Sequence, residues 1–151
     1  MSTQFDFEIN ALYALLIDRG EGTYTFHWRL YLHQSAQSGY IYHLINDGDS
    51  TGWRFDPQPN QNVMNSEGLL VALKIDVLSP GLHQPMLDRL AQIPIGYSTR
   101  FHENITCRVW LKEALFLLDE EGFINLTRSV KDFEFEASTL AMQKKSARSQ
   151  A

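Results

Sequence analysis

The sequence has little cysteine and no long uninterrupted apolar run. Cys107 is the only cysteine among 151 residues, so an internal disulfide cannot form and the Cys/His pairs of a structural zinc site are missing. The apolar run ALYALLI at residues 11–17 is far shorter than the roughly 20 residues of a membrane span. Acidic residues stand upstream of it, where a signal peptide would carry Lys or Arg. These features predict a protein of a reducing compartment, the cytoplasm, with no membrane span.

Basic residues are fewer than acidic residues. The chain has 13 Lys and Arg against 18 Asp and Glu, a formal net charge of −5, so neither nucleic acid nor an anionic membrane is expected as a partner. It also has no phosphate-binding glycine loop and no dinucleotide fingerprint, which argues against chemistry that uses a nucleotide. The expected partner is a small-molecule or peptide-like substrate, and the oligomeric state stays open.

The composition is that of a single globular domain. Apolar residues make up 44% and charged residues 21% of the chain, within the range of folded proteins. A chain of this length can build one core but not two ordinary ones. We expect one α+β domain over residues 1–142 and a disordered tail over 143–151, because QKKSARSQA has no large apolar side chain.

The first half of the chain has the pattern of antiparallel strands. Residues 11–17 and the run TYTFHWRLYLH are β-rich and separated by a short turn, and YIYHLIN follows the turn QSAQSG. A short strand is expected at WRF and a loop at DPQPNQN. The run at 68–78 is predicted as a strand, although its length also allows a helix. In FHWRLYLH, alternation puts His27, Arg29, Tyr31 and His33 on the face opposite the apolar side chains, and His33 is expected at the surface.

The second half is mainly helical. ENITCRVWLKEALFLLDEEG repeats apolar residues at three- and four-residue steps, and Gly122 ends the pattern. Asn104 or Thr106 is the N-cap, and either choice places Cys107 in the first turn. Weaker helical patterns cover part of residues 79–95 and about 127–142. The predicted architecture is an antiparallel sheet packed against the long helix that carries Cys107 at its N-terminus.

Cys107 and two histidines have the clearest chemical potential. A thiol is a useful nucleophile as a thiolate, which a helix N-terminus stabilises. An imidazole can take the thiol proton, and a third polar group must then orient that ring. His27 and His43 are on neighbouring predicted strands, where cross-strand residues come to about 5 Å. They can touch only if paired residue numbers in this hairpin have an even sum.

The order of these residues resembles a known family. A His on one strand, a second His on the next and a later Cys opening an amphipathic helix are similar to the circularly permuted NlpC-type papain-like fold. This group includes lecithin retinol acyltransferase. The pattern HW…GYIYH…TCRVW is also similar to small proteins of filamentous fungi, some of them associated with secondary metabolism. The resemblance covers roughly residues 11–122 and implies a permuted papain-like fold.

The resemblance also implies an activity. It points to hydrolysis or acyl transfer on an amide, ester or thioester through an acyl-thioester intermediate. Cys107 would be the nucleophile, His27 the general base and acid, and His43 the residue that holds the His27 ring. One difference is Thr106, which stands directly before the cysteine where the acyltransferase branch commonly has Asn.

Other assignments of these residues stay open. Cys107 also suits a small core position, and the fold would equally serve a non-catalytic ligand-binding or cyclase-like accessory protein of fungal secondary metabolism. His102, close to Cys107 in sequence, is a reserve base, and with Trp53 it is a candidate substrate contact. A metal site built from Cys107 and all histidines except His83 matches no ligand spacing, so no metal or other cofactor is expected.

Overall fold

A five-stranded antiparallel sheet forms the centre of the fold. The computed structural model describes residues 5–20, 25–46 and 52–149. The strands there are β1 (Ala11–Asp18), β2 (Phe26–His33), β3 (Gly39–Tyr42), β4 (Leu44–Asn46), β5 (Trp53–Phe55), β6 (Gln58–Gln61) and β7 (Leu69–Val77). The helices are α1 (His83–Leu90), which follows a 3-10 turn at Pro80–Leu82, α2 (Cys107–Glu120) and α3 (Val130–Ser149). The sheet order is β6-β3-β2-β1-β7, and β4 and β5 pair separately. The α+β class is thus confirmed, and the run at 68–78 is strand β7, not a helix.

Strand β2 lies in the middle of the sheet between two apolar clusters. Its even-numbered side chains belong to the cluster that contains Cys107 and the buried face of α2: Phe26, Trp28, Leu30 and Leu32. Tyr31 belongs to the smaller cluster on the other side. This division follows from the two-residue period of a strand. The sheet therefore packs against the helix that begins with Cys107, as predicted.

Thr106 and Gly122 set the two ends of α2. Thr106 is extended, with φ of −143°, and its Oγ1 accepts a hydrogen bond of 3.2 Å from the Val109 N–H. Thr106 and not Asn104 is therefore the N-cap. Gly122 follows the helix with φ of 80°, a left-handed conformation that glycine adopts with little strain. Cys107 is consequently the first residue of α2.

The hairpin of β2 and β3 has the register that a histidine pair requires. Leu30 pairs with Tyr42, so paired residue numbers have an even sum. A Cβ at Gly39, the first residue of β3, would lie 2.1 Å from the Leu32 carbonyl oxygen. Glycine at this position is therefore what lets the two strands approach closely.

Two elements of the first half differ from the sequence prediction. YIYHLIN is two strands, since the chain leaves β3 at His43 before β4 begins. DPQPNQN, expected to be a loop, contains β6, which pairs with β3 at the edge of the sheet. Proline is compatible with an edge strand, where the missing N–H is not needed for the ladder. The predicted turn residues 21–22 and 47–51 lie outside the described residues.

His33 is buried, and the expectation that it lies at the surface is wrong. Its side chain is 1% exposed. Its Nδ1 lies 2.7 Å from the Tyr31 hydroxyl, and the Phe7 ring packs on it at 5.4 Å between centroids. The segment that precedes β1 therefore covers this end of the strand.

Helix α3 extends beyond the predicted end of the domain. It runs to Ser149, whereas the sequence predicts disorder from residue 143. Lys145 is 6% exposed, and its Nζ donates to Asp18 Oδ1 at 2.8 Å. Arg148 donates to two backbone carbonyl oxygens near the start of β7, at 3.3 and 3.2 Å. These polar contacts, which an apolar pattern does not reveal, hold residues 143–149 against the sheet. Neither α3 nor any other helix in the described part of the chain is long and apolar enough to cross a membrane.

Candidate active site

The Cys107 thiol lies against the beginning of β2. Its Sγ accepts a hydrogen bond of 3.5 Å from the Trp28 N–H and one of 3.4 Å from Nη2 of Arg19. The side chain is 2% exposed and forms no disulfide. The unpaired N–H groups at the start of α2 add further positive potential at this point. The sulfur, at the start of α2, is therefore held by hydrogen-bond donors from β2 and from the residue that follows β1.

Arg19 reaches the sulfur from the end of β1, and α3 holds that end in place. Asp18, the last residue of β1, accepts hydrogen bonds of 2.8 Å from Lys145 and from the Gly20 N–H. The hydrogen bond from Lys145, followed by the one from Gly20, lowers the pKa of Asp18. The ionised carboxylate therefore joins the turn that carries Arg19 to the last helix.

A cleft of about 460 Å³ opens beside the thiol. Aromatic and apolar side chains form much of its wall: Phe26, Trp28, Trp53 and Met142. Arg19 and Cys107 line it as well. The volume falls in the usual range of small-molecule sites, about 300–1,000 Å³. Trp53, a predicted substrate contact, thus lies where a ligand of the cleft would bind.

His27 and His43 touch, and Asp56 extends the contact into a chain of three residues. His27 Nε2 lies 2.9 Å from His43 Nδ1, and His43 Nε2 lies 3.0 Å from Asp56 Oδ2. The same carboxylate oxygen accepts a hydrogen bond of 2.7 Å from Gln58 Nε2. The Asp56 N–H also donates to the His43 carbonyl oxygen at 2.9 Å. The backbone and the side chain of Asp56 therefore both hold the segment around His43.

The hydrogen bonds of this chain determine which nitrogen of His27 is basic. An ionised carboxylate only accepts hydrogen bonds, so the proton of a neutral His43 is on Nε2. His43 Nδ1 must then accept, and His27 Nε2 must donate. The lone pair of a neutral His27 is consequently on Nδ1, which makes no hydrogen bond within the described residues. A general base needs such a nitrogen, with a lone pair that can accept a proton.

Burial keeps both histidines neutral. It is the largest cause of the lowered pKa of His27, which falls to about 3, and the charge of Arg29 is the next cause. Burial also lowers the pKa of His43, and Arg29 adds to this effect, whereas the hydrogen bond to Asp56 opposes it. Both rings are therefore neutral near pH 7. A general base works best with a pKa near the working pH, so the pKa of His27 must rise when substrate binds for this ring to take a proton.

The sulfur and the His27 ring are linked through the backbone and not by a hydrogen bond. The Trp28 N–H that donates to Sγ belongs to the peptide that follows His27. Strand alternation directs the Trp28 ring toward α2 and the His27 ring to the other face of β2. Within the described residues no imidazole makes a hydrogen bond to Cys107. The structure thus brings the two histidines together and places the thiol at the adjoining peptide.

The sequence analysis misses Arg19, which contacts the sulfur, and two further residues, Asp56 and Arg29. Asp56 stands in the segment read as a loop, and only the pairing of β4 with β5 and of β3 with β6 carries it to His43. Arg29 shares the face of His27, and the alternation of β2 could have drawn attention to it. Its Nε is buried without a hydrogen-bond partner in the described structure.

The other predicted contact does not reach the cleft. His102 is exposed, in a turn with φ of 57°, and is not part of the cleft wall. Within residues 5–20, 25–46 and 52–149, no group of three or more His, Cys, Asp or Glu side chains is arranged to hold a metal ion.

Comparison of the chain with protein-family models, with curated proteins and with solved structures finds no match. The site geometry and the chemistry of its residues therefore carry the functional argument.

Proposed function

We propose that the protein is a cysteine-dependent hydrolase or acyltransferase with a permuted papain-like fold. Cys107 is the nucleophile, His27 the general base and acid, His43 the residue that orients His27, and Asp56 the anchor of His43. One observation carries the proposal: the hydrogen-bonded chain from Asp56 through His43 ends at His27, and the next peptide N–H of β2 holds the Cys107 sulfur.

The proposed reaction begins with transfer of the thiol proton of Cys107 to Nδ1 of His27. The sulfur then attacks the carbonyl carbon of an amide, ester or thioester, and a C–S bond forms. The leaving group departs with the proton from His27, so an acyl-thioester remains on Cys107. Water or another acceptor attacks this intermediate after His27 takes its proton, and the thiol is restored. The Cys107 N–H at the start of α2 stabilises the oxyanion in this step.

Proton transfer requires the His27 ring and the sulfur to approach when substrate is bound. Hydrogen bonds between catalytic groups are often long or poorly aligned without substrate and tighten in the complex. Sγ is held by a backbone N–H at 3.5 Å and by an arginine at 3.4 Å. Both distances are ordinary for hydrogen bonds to sulfur. Because the His27 ring lies on the other face of β2, its approach to the sulfur requires the start of β2 to move as well as the thiol.

The cleft supports a small-molecule or peptide-like substrate with an apolar portion. Its aromatic wall includes Trp28 and Trp53, and its volume is about 460 Å³. Since Cys107 is unpaired and is the residue that an oxidising environment would inactivate, we place the reaction in a reducing compartment, the cytoplasm.

The test is transfer of an acetyl group from 4-nitrophenyl acetate to Cys107. We expect release of nitrophenolate together with an acetyl adduct that mass spectrometry locates on Cys107. Cys107→Ala should abolish the adduct, and His27→Gln should reduce the rate by about 10²-fold or more. His83→Gln, a histidine outside the site, is the matched control. An unchanged rate in His27→Gln, or acylation elsewhere in the chain, would contradict the proposal.

The second candidate is a non-catalytic ligand-binding or accessory protein, such as a cyclase-like helper in fungal secondary metabolism. It is favoured by the cleft with aromatic walls and by the missing hydrogen bond between Sγ and an imidazole within the described residues. A binder needs the cleft but not the thiol. Ligand binding that survives Cys107→Ala, without acylation of the native protein, would favour this candidate.

A further inference from the structure

The charged side chains in the wall of the cleft beside Cys107 are basic. Among the described residues, Arg19 and Arg108 line the cleft, whereas no Asp or Glu side chain does. The chain as a whole has a formal net charge of −5, so the wall differs in sign from the rest of the protein. A concave surface with charge of one sign favours a ligand of the opposite sign.

Arg108 is already neutralised by protein carboxylates. Its guanidinium donates to Glu103 and to Glu134. Lys112 Nζ lies 3.5 and 2.9 Å from the same two carboxylates. Two basic and two acidic side chains thus form one network in which the charges balance. Arg108 therefore adds little net charge to the cleft.

Arg19 has no carboxylate partner within the described residues. Its contact there is the Cys107 sulfur, 3.4 Å from Nη2, and sulfur is a weak hydrogen-bond acceptor. The adjacent carboxylate, Asp18, is held instead by Lys145 and by the Gly20 N–H, both at 2.8 Å. A guanidinium has five N–H donors, so Arg19 offers a ligand its positive charge and most of its donors.

The apolar part of the wall suits a flat apolar compound. Phe26, Trp28, Trp53 and Met142 line the cleft. Trp53 is half-buried and Met142 is 46% exposed, so both have surface left for a ligand. Aromatic rings and thioethers pack well against other aromatic rings. The volume of about 460 Å³ is sufficient for a small molecule.

We infer that the cleft binds a small aromatic compound that carries one carboxylate, and that Arg19 pairs with this carboxylate. A guanidinium presents parallel N–H donors that match the two oxygens of a carboxylate. One unbalanced guanidinium neutralises one negative charge, which favours a carboxylate over a phosphate dianion. The inference goes beyond the proposed function, because binding in the cleft needs no reaction at Cys107.

The inference is tested with 2-naphthoate and 2-naphthamide, which have nearly the same shape and differ in charge. In calorimetric titration the native protein should bind naphthoate at least about tenfold more tightly than naphthamide. Arg19→Met should remove most of this preference, and Arg100→Met, an exposed arginine outside the cleft, should keep it. Equal binding of the two compounds, binding of neither, or a preference that survives Arg19→Met overturns the inference. The comparison in the native protein needs no variant, so it decides even if Arg19→Met is unstable.

Protection of the thiol tests where the compound binds. A carboxylate paired with Arg19 lies beside the Cys107 sulfur, so naphthoate should slow alkylation of Cys107 by iodoacetamide. Naphthamide at the same concentration should slow it much less, and Arg19→Met should lose the protection. Naphthoate binding that leaves the alkylation rate unchanged would place the compound elsewhere and overturn the inference.

The result for the cleft and the result for the proposed function are separable. Naphthoate binding through Arg19 without acetyl transfer to Cys107 would support the inference, contradict the proposed function and favour a ligand-binding protein. Acetyl transfer to Cys107 without a preference for naphthoate would overturn the inference and leave the proposed function intact.

Discussion

At the scale of single residues, the Asp56 carboxylate fixes the proton positions of the histidine chain. His43 is 2% exposed, and its Nε2 depends on Asp56 as acceptor. Asp56→Ala leaves a buried donor unpaired and releases the tautomer, so acylation of Cys107 should slow by about 10²-fold or more. Asp56→Asn can turn its N–H donors toward His43 and reverse the tautomer, so it should slow acylation as well. The measurement is release of nitrophenolate, with the exposed Asp88→Ala as control, and equal rates in all four proteins would contradict the role of Asp56.

The lowered pKa of His27 predicts the direction in which acid changes stability. In the unfolded chain His27 takes a proton near pH 6.5, whereas burial holds the pKa of the folded protein at about 3. Between these values the unfolded state binds more protons, so the free energy of unfolding falls as the pH falls. The part due to His27 changes by at most about 1.4 kcal/mol per pH unit.

Urea unfolding at pH 7, 5 and 4 checks this expectation. Other groups also titrate in this range, so the native protein is compared with His27→Gln. The stability difference between the two should shift in favour of the variant as the pH falls. A difference that is constant over this range would mean that His27 is protonated equally in both states.

Single residues of the site differ in how far the sequence reveals them. His27, His43 and Cys107 could be selected because their types and local patterns are visible along the chain. Asp56 could not, because its contact with His43 depends on strand pairing that no local pattern encodes. The sequence could not reveal that Arg29 Nε has no hydrogen-bond partner either, because this depends on which groups surround it in the folded protein.

At the scale of elements, α2 positions Cys107 through its N-cap. Thr106 Oγ1 accepts from the Val109 N–H at 3.2 Å, and it is the residue directly before the nucleophile. Thr106→Ala should lower the free energy of unfolding by about 1 kcal/mol, the usual value of an N-cap. Thr106→Ser keeps the capping hydroxyl, so it should lower the free energy of unfolding much less. Chemical denaturation of the two variants makes the comparison. Equal losses in Ala and Ser would show that the methyl group matters instead of the hydroxyl.

The sequence predicts best those elements in which apolar residues follow a clear pattern along the chain. Strands β1 and β2 and helix α2 have long regular patterns, and the structure has them where they are expected. The break between β3 and β4 falls inside an apolar run, where nothing in composition marks it. Strand β6 contains Pro59 and polar residues because it lies at an edge. Periodicity reports burial, so an exposed edge strand gives no such signal.

At the scale of the whole molecule, α3 connects the C-terminal part of the chain to the cleft. Lys145 is nearly buried and donates to Asp18 at 2.8 Å, and Asp18 precedes the Arg19 that contacts the sulfur. The contact joins residues 127 positions apart. The sequence predicts disorder here because its evidence is the scarcity of large apolar side chains. The last turns of the helix are instead held by two charged side chains, Lys145 and Arg148, which donate to specific partners.

This connection predicts that Lys145→Met affects both stability and the thiol. The methionine keeps the buried stem but leaves Asp18 without the ammonium, so the free energy of unfolding should fall by about 1–3 kcal/mol. The turn that carries Arg19 is then no longer tied to α3, and alkylation of Cys107 by iodoacetamide should become faster because the thiol is less shielded. Lys131→Met, an exposed lysine in the first turn of the same helix, should change neither quantity. A variant that loses stability while the alkylation rate stays constant would show that α3 supports the sheet without positioning the Arg19 turn.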